Sequence, residues 1–200
     1  GGFRIIHKKN DGTETVYELN IALFSAFGGT AKNIPAYLGA HQLMLAFQGI
    51  PALYLNAFVG GLNDLQGVES TGRTRSINRG HWQLDDLKTI LATETNEQSI
   101  IFAELNRSLE IRGSQSAFAP SAQQEILAYT EDSLWLKREN TDQVILVIAS
   151  FSEAPVETEL PRQDTAYEHA TDLLSEDAVV LTKAVPMAPY QVRWLSIAKT

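Results

Sequence analysis

The sequence predicts an α/β first part followed by a small antiparallel β-domain, and three observations carry the prediction. A helix with apolar residues on several faces leads directly into a near-continuous apolar run at residues 52–59, the pattern of a parallel strand buried on both sides. Two further helical stretches follow before residue 113. From residue 125 onward the period shortens to that of strands, interrupted by turn formers. The expected division is residues 1–118 and 119–200.

Each element has its own signal. Asn33 can cap a helix in which Ile34, Leu38, Leu43, Met44, Leu45 and Phe47 occupy more than one face. Gly49 and Pro51 mark its end. After the expected strand at 52–59, residues 60–80 are polar and carry Asn63, Asp64, Gly72, Arg73, Arg75, Asn78 and Arg79. In α/β folds the loop leaving the carboxyl end of a strand is where ligands are met. A helix over 84–92 opens on Asp85 and Asp86, which suit a positive helix N-terminus. Thr95 and Gln98 fit a capping box for a helix reaching about Arg112, with Ile101, Leu105 and Leu109 as its core stripe and Gly113 as its stop. Strands are expected at 125–129, 133–137, 144–151, 156–160, 178–182 and 190–197.

Composition narrows the functional classes. The 200 residues are 44% apolar and 20% charged, as in a soluble globular chain. Sixteen basic against twenty-four acidic residues give a net charge of −8, which offers no attraction to nucleic acid or to an anionic membrane surface. The absence of cysteine excludes disulfides, a thiolate nucleophile, cysteine-ligated zinc and iron–sulfur clusters. No charged residue stands between Lys32 and Asp64, yet Gln42, Gln48, Pro51, Asn56 and glycines at 49, 60 and 61 exclude a membrane span there. Residues 1–9 are not followed by a signal-peptide pattern, so a cytoplasmic location is expected.

The chain carries no self-contained catalytic motif. His7, His41, His81 and His169 lack metal-ligand spacing, and His41 is expected to pack against its helix neighbours. Asp85 and Asp86 are adjacent on a helix and point in different directions, so they read as N-terminal charges rather than an acid/base pair. Asn106 and Ser108 match a glycosylation acceptor by chance, in the middle of a helix. The arginines at 73, 75 and 79 have two readings: guanidinium forks for carboxylate, phosphate or sugar hydroxyls, or ties between the loop and the acidic surface around it.

Five segments together carry a resemblance: YELN at 17–20, FSAF at 24–27, FQGIPALY at 47–54, GGLND at 60–64 and RSINR at 75–79. They resemble the C-terminal portion of sucrose phosphorylase and its relatives in the α-amylase superfamily of glycoside hydrolases. The likeness runs from about residue 16 onward and is strongest over 16–82. The GIPxLY pattern is shared across the superfamily, whereas the ND and INR combination is more specific to the phosphorylase branch. The resemblance implies the last part of a (β/α)8 TIM barrel followed by a small antiparallel β-domain. Residues 33–48 would be the helix after the seventh strand, 52–59 the eighth strand and 98–112 the closing helix. A whole barrel takes about 250 residues, so only its end is expected here.

The resemblance also implies a chemistry. These enzymes use a retaining double displacement in which phosphate replaces water, converting an α-glucoside to α-glucose 1-phosphate and the free acceptor. Inorganic phosphate is the co-substrate, and no metal or organic cofactor is implied. The family's catalytic carboxylates precede the YELN segment, one of them directly after a histidine. No histidine here is followed by aspartate, so no catalytic residue is expected in this segment. Arg75 matches the arginine that binds the glucosyl unit. Tyr17, Glu18 and Asn20 match the end of the mobile loop after strand seven, part of the acceptor and phosphate site. Glu18 stands where sucrose phosphorylases proper have glutamine, and Thr15 where they have an acidic residue. The YELN form is similar to the branch acting on glucosylglycerate, glucosylglycerol or sucrose 6-phosphate. The alternatives are a hydrolase or transglucosidase of the same superfamily, and a carbohydrate-binding remnant without turnover.

Overall fold

A computed structural model of the chain describes residues 1–161 and 167–197. In chain order it forms β1 (Phe3–Lys8), β2 (Glu14–Asn20), α1 (Leu23–Ala26), α2 (Ile34–Ala46), α3 (Leu55–Phe58), α4 (Leu65–Thr71), α5 (Leu84–Leu91) and α6 (Glu97–Gly113). The strands β3 (Gln123–Tyr129), β4 (Ser133–Glu139), β5 (Val144–Ser150), β6 (Val156–Thr158), β7 (His169–Asp172), β8 (Ala178–Val180), β9 (Val185–Met187) and β10 (Val192–Ile197) follow. Short 3₁₀ turns lie at Ala31–Asn33, Thr74–Asn78 and Ser116–Phe118. Contacts divide the chain into two compact units, Gly1–Ile34 with Leu53–Ala103, and Pro35–Ala52 with the chain from Glu104 onward.

In the first unit β1 and β2 form an antiparallel hairpin, with Phe3 opposite Asn20 and a bulge between Ile5 and Ile6. The Asp11 carboxylate closes its turn by accepting from the Thr13 amide at 2.9 Å. Past the hairpin, the Ala22 amide donates to Asn63 Oδ1 at 2.8 Å and the Asn63 amide donates to Ser25 Oγ at 2.9 Å. Helices α5 and α6 occupy the predicted stretches, and Asp85 and Asp86 stand in the first turn of α5. The cap of α6 differs from the expected Thr95 box: Asn96 Oδ1 accepts from the Gln98 amide at 3.0 Å. Asn33, expected as a cap, lies instead in the 3₁₀ turn, where its Oδ1 accepts from Thr30 Oγ1 at 2.6 Å.

The expected strand at 52–59 is not formed. Residues 51–54 form no strand, and Leu55–Phe58 wind into one helical turn. The reason is hydrogen bonding. A buried parallel strand needs a neighbour for every backbone N–H and C=O, and among the described residues no strand pairs with this segment. The backbone closes on itself instead, Phe58 N donating to Tyr54 O at 2.9 Å and Val59 N to Leu55 O at 3.1 Å. Tyr54 and Leu55 remain 55% and 59% exposed.

The second unit is built around an antiparallel sheet of order β3-β4-β5-β10-β7-β8, with β6 and β9 paired separately. Every residue of β5 is buried. Side chains alternate across a strand, so Leu146 and Ile148 join Trp135, Leu195, Val185 and Met187 in a core on one face. On β10 the neighbours of Leu195 turn the other way, and Trp194 meets Phe118 edge-on with centroids 4.9 Å apart.

Helix α2 ends against two arginines of the same unit. Arg112 donates to the carbonyls of Leu45, Gly49 and Phe118 at 2.8, 3.2 and 3.0 Å. Arg138, fully buried, donates to Ala46, Ala119 and Gln123. The last carbonyls of a helix lack intrahelical donors and carry its negative dipole end, so two guanidinium forks satisfy both needs. Burial, and for Arg138 also the charge of Arg112, lowers the pKa of both arginines from the ordinary value. His41 packs within α2 as expected, its ring 4.5 Å from that of Tyr37 and its Nδ1 2.8 Å from the Tyr37 carbonyl. Gly39 passes so close to the Tyr190 carbonyl that any Cβ there would collide with it.

Candidate functional site

The polar segment after α3 is held from several sides within the first unit. Asp64 caps α4, Oδ1 accepting from the Gly67 amide at 2.7 Å, and its own amide donates to the Ile77 carbonyl at 2.7 Å. Ile77 is fully buried and anchors the 3₁₀ turn Thr74–Asn78. Gly72, with φ +65°, ends α4 in the left-handed conformation that only glycine enters without strain, turning the chain toward the arginines. Asn56 then spans the base of the loop. Its Nδ2 donates to the Gly80 carbonyl at 3.0 Å and to Asn78 O at 3.5 Å, while its Oδ1 accepts from Trp82 Nε1 at 3.0 Å.

Against this frame β2 delivers the other predicted residues. Arg75 Nη2 lies 3.3 Å from Glu18 Oε1, with the two side chains 60% and 31% exposed. Asn20 is buried and its Nδ2 approaches Thr74 Oγ1 at 3.4 Å. Glu18, Asn20 and Arg75 are thereby brought together. Tyr17 is not: it is 75% exposed, and on a pleated strand it faces opposite to Glu18. The expected loop end at 17–20 is strand, because its backbone pairs with β1, Ile5 opposite Glu18. Arg73 and Arg79 are exposed. Of the two readings for the arginines, Arg75 does pair with a carboxylate of its own chain. An ion pair this exposed adds little stability, so what it sets is geometry: a planar donor fork beside a carboxylate acceptor, a combination that matches hydroxyls able to donate and accept.

Sequence reasoning missed Asn56, Thr74 and Trp82 as parts of this site. The signal for Asn56 was present, since it is the polar residue inside the apolar run 52–59. Elsewhere, Asn106 lies in α6 and donates to Glu110 Oε1 at 2.7 Å. Among the described residues no group of three or more histidine, cysteine, aspartate or glutamate side chains is arranged to hold a metal ion. Nor is any described helix long and apolar enough to cross a membrane.

In fold the chain matches about a third to two fifths of each of several solved enzymes. AmyP in complex with maltotriose superposes with a TM-score of 0.70 over 84% of this chain and 35% of that one, at 16% identity. Trehalose-6-phosphate hydrolase from Bacillus licheniformis matches with a TM-score of 0.64 over 90% of this chain and 41% of its own, at 17% identity. By sequence the chain is similar over part of their length to several curated glucoside phosphorylases. It is 27% identical to glucosylglycerate phosphorylase from Escherichia coli over 96% of this chain and 34% of that protein. Glucosylglycerate phosphorylase from Allomeiothermus silvanus is 30% identical over 77% of this chain and 29% of its own length. Sucrose phosphorylase from Streptococcus mutans is 28% identical over 64% and 24%. The chain spans about a third of the length of the first of these relatives. No family model matches it.

Proposed function

We propose that this chain supplies the C-terminal part of a glucoside phosphorylase, which transfers the glucosyl unit of an α-glucoside to phosphate and releases α-glucose 1-phosphate and the free acceptor. The observation that carries the reading is the 3.3 Å approach of Arg75 to Glu18, which joins two of the segments that carry the phosphorylase resemblance. Homology to glucosylglycerate and sucrose phosphorylases supports it. In this reading residues 1–118 complete a (β/α)8 barrel and 119–200 form the β-domain. Arg75 binds the glucosyl unit, and Glu18 and Asn20 border the acceptor and phosphate site, with Tyr17 on the opposite face of its strand. The Glu18 carboxylate accepts hydrogen bonds from polyol hydroxyls, which suits a glycerol-like or glycerate acceptor whose anionic group lies away from it.

The nucleophile and the acid/base carboxylate come from the rest of the barrel, and the reaction uses phosphate as co-substrate with no metal or organic cofactor. The enzyme works on small molecules in the cytoplasm, without nucleic-acid or membrane partners. The test is to incubate the polypeptide that joins this chain to the rest of the barrel with α-glucosides, with and without phosphate. Phosphate-dependent release of α-glucose 1-phosphate is expected. Release of free glucose from the donor regardless of phosphate would overturn the phosphorylase reading in favour of a hydrolase.

A further inference from the structure

Among the described residues Asn78 Oδ1 is buried and has no hydrogen-bond partner. A buried acceptor without a donor is costly, and this one sits on the candidate site. In a 3₁₀ helix side chains three apart eclipse one another, so the turn Thr74–Asn78 carries Arg75 and Asn78 on the same face. The turn is fixed at its carboxyl end, by Asp64 N on Ile77 O at 2.7 Å and by Asn56 Nδ2 on Gly80 O at 3.0 Å. Asn78 as a residue is only partly buried, and the terminal torsion of an asparagine is soft. Rotation of the carboxamide therefore redirects its oxygen without moving the fixed backbone.

We propose that Asn78 is a further substrate-binding residue, its carboxamide oxygen accepting a hydrogen bond from a glucosyl hydroxyl next to the one that Arg75 engages. This rests on the reading of Arg75 as the glucosyl-binding arginine. Arg75 offers only donors, so a neighbouring hydroxyl that donates needs an acceptor on the same face, which Asn78 supplies. Sugars, with hydroxyls on adjacent carbons, supply both halves.

The test compares Asn78→Ala and Asn78→Asp with the unsubstituted enzyme, using α-glucose 1-phosphate and its single-deoxy analogues as donors to the acceptor. Asn78→Ala is expected to lower kcat/KM for the parent donor about tenfold, the value of one neutral hydrogen bond. It should leave one particular deoxy analogue unaffected, because that analogue has already lost the same bond. Asn78→Asp, which keeps an acceptor, should retain activity on the parent donor. Equal losses across all analogues would overturn the proposal and make Asn78 a structural residue of the loop. An unsubstituted enzyme that neither binds glucose in saturation-transfer experiments nor turns over would overturn the phosphorylase reading and this proposal together.

Discussion

Arg138 donates from Nη1 to the carbonyl of Ala46 at 2.7 Å, across 92 positions of sequence, and with Arg112 it closes the carboxyl end of α2. Its other donors serve Ala119 and Gln123. Arg138→Met keeps the volume and strips the donors, leaving buried carbonyls unsatisfied. The loss should be about 3 kcal/mol, read as a lower urea midpoint with an unchanged slope. An unchanged midpoint would mean that water replaces the guanidinium.

His41 responds to acid. Burial holds its pKa below the ordinary 6.5, the Tyr37 carbonyl opposing only in part. The unfolded chain therefore takes up a proton before the folded one does, and stability falls as pH drops from 6.5 through the lowered value. A His41→Phe variant should lose this slope. Urea midpoints of both chains across pH 5 to 8, a range of about three units around the histidine value, decide the matter; parallel curves would contradict the buried, neutral histidine.

Asp172 has the opposite sign. Burial raises its pKa from the ordinary 3.8, outweighing the amides of Leu174 and Trp194, the charge of Arg193 and the Ser175 hydroxyl. Here the folded state holds its proton longer, so the contribution to stability is greatest at and below 3.8 and is lost as pH rises through the raised value. Against an Asp172→Asn control, the stability difference should decline upward from pH 3.8 and then level off. A difference that grows with pH over that interval would show that the hydrogen bonds, and not burial, dominate.

In the complete enzyme Arg75→Ala should reduce kcat/KM for every glucosyl donor, on the order of 30-fold for one charge-assisted contact. Glu18→Gln should change the ranking of acceptors while leaving donor use nearly intact. Acceptor competition assays with glycerol, glycerate and fructose separate the two effects. An unaltered acceptor ranking in Glu18→Gln would remove Glu18 from the acceptor site.

Helices α2, α5 and α6 and the long strands were legible because their signals are local and repeated, whereas the short α1, α3 and α4 were not. Apolar spacing along α6 and the unbroken apolar run of β5 name their own elements. Two strands of the second unit escaped: β7 reads HATD and β9 reads VPM, the one too polar and the other interrupted by Pro186. The β1–β2 hairpin was missed because both strands are mostly exposed and lack an alternating apolar face. At the candidate site, Glu18 and Arg75 were found through their motifs. Asn56 shows only as a polar break in an apolar run, and its bond to Trp82, 26 residues on, leaves no periodic trace.

The turn at Leu55–Phe58 has a colloidal consequence. Its letters favour extended pairing, and Tyr54 and Leu55 stand in water, so copies of this chain have a ready template for stacking strand on strand. Pro51 on one flank and Gly60 and Gly61 on the other are residues that interrupt such growth. The net charge of −8 keeps copies apart at low ionic strength, and salt removes that protection within a shrinking Debye length. Added salt is therefore expected to favour association of this polypeptide.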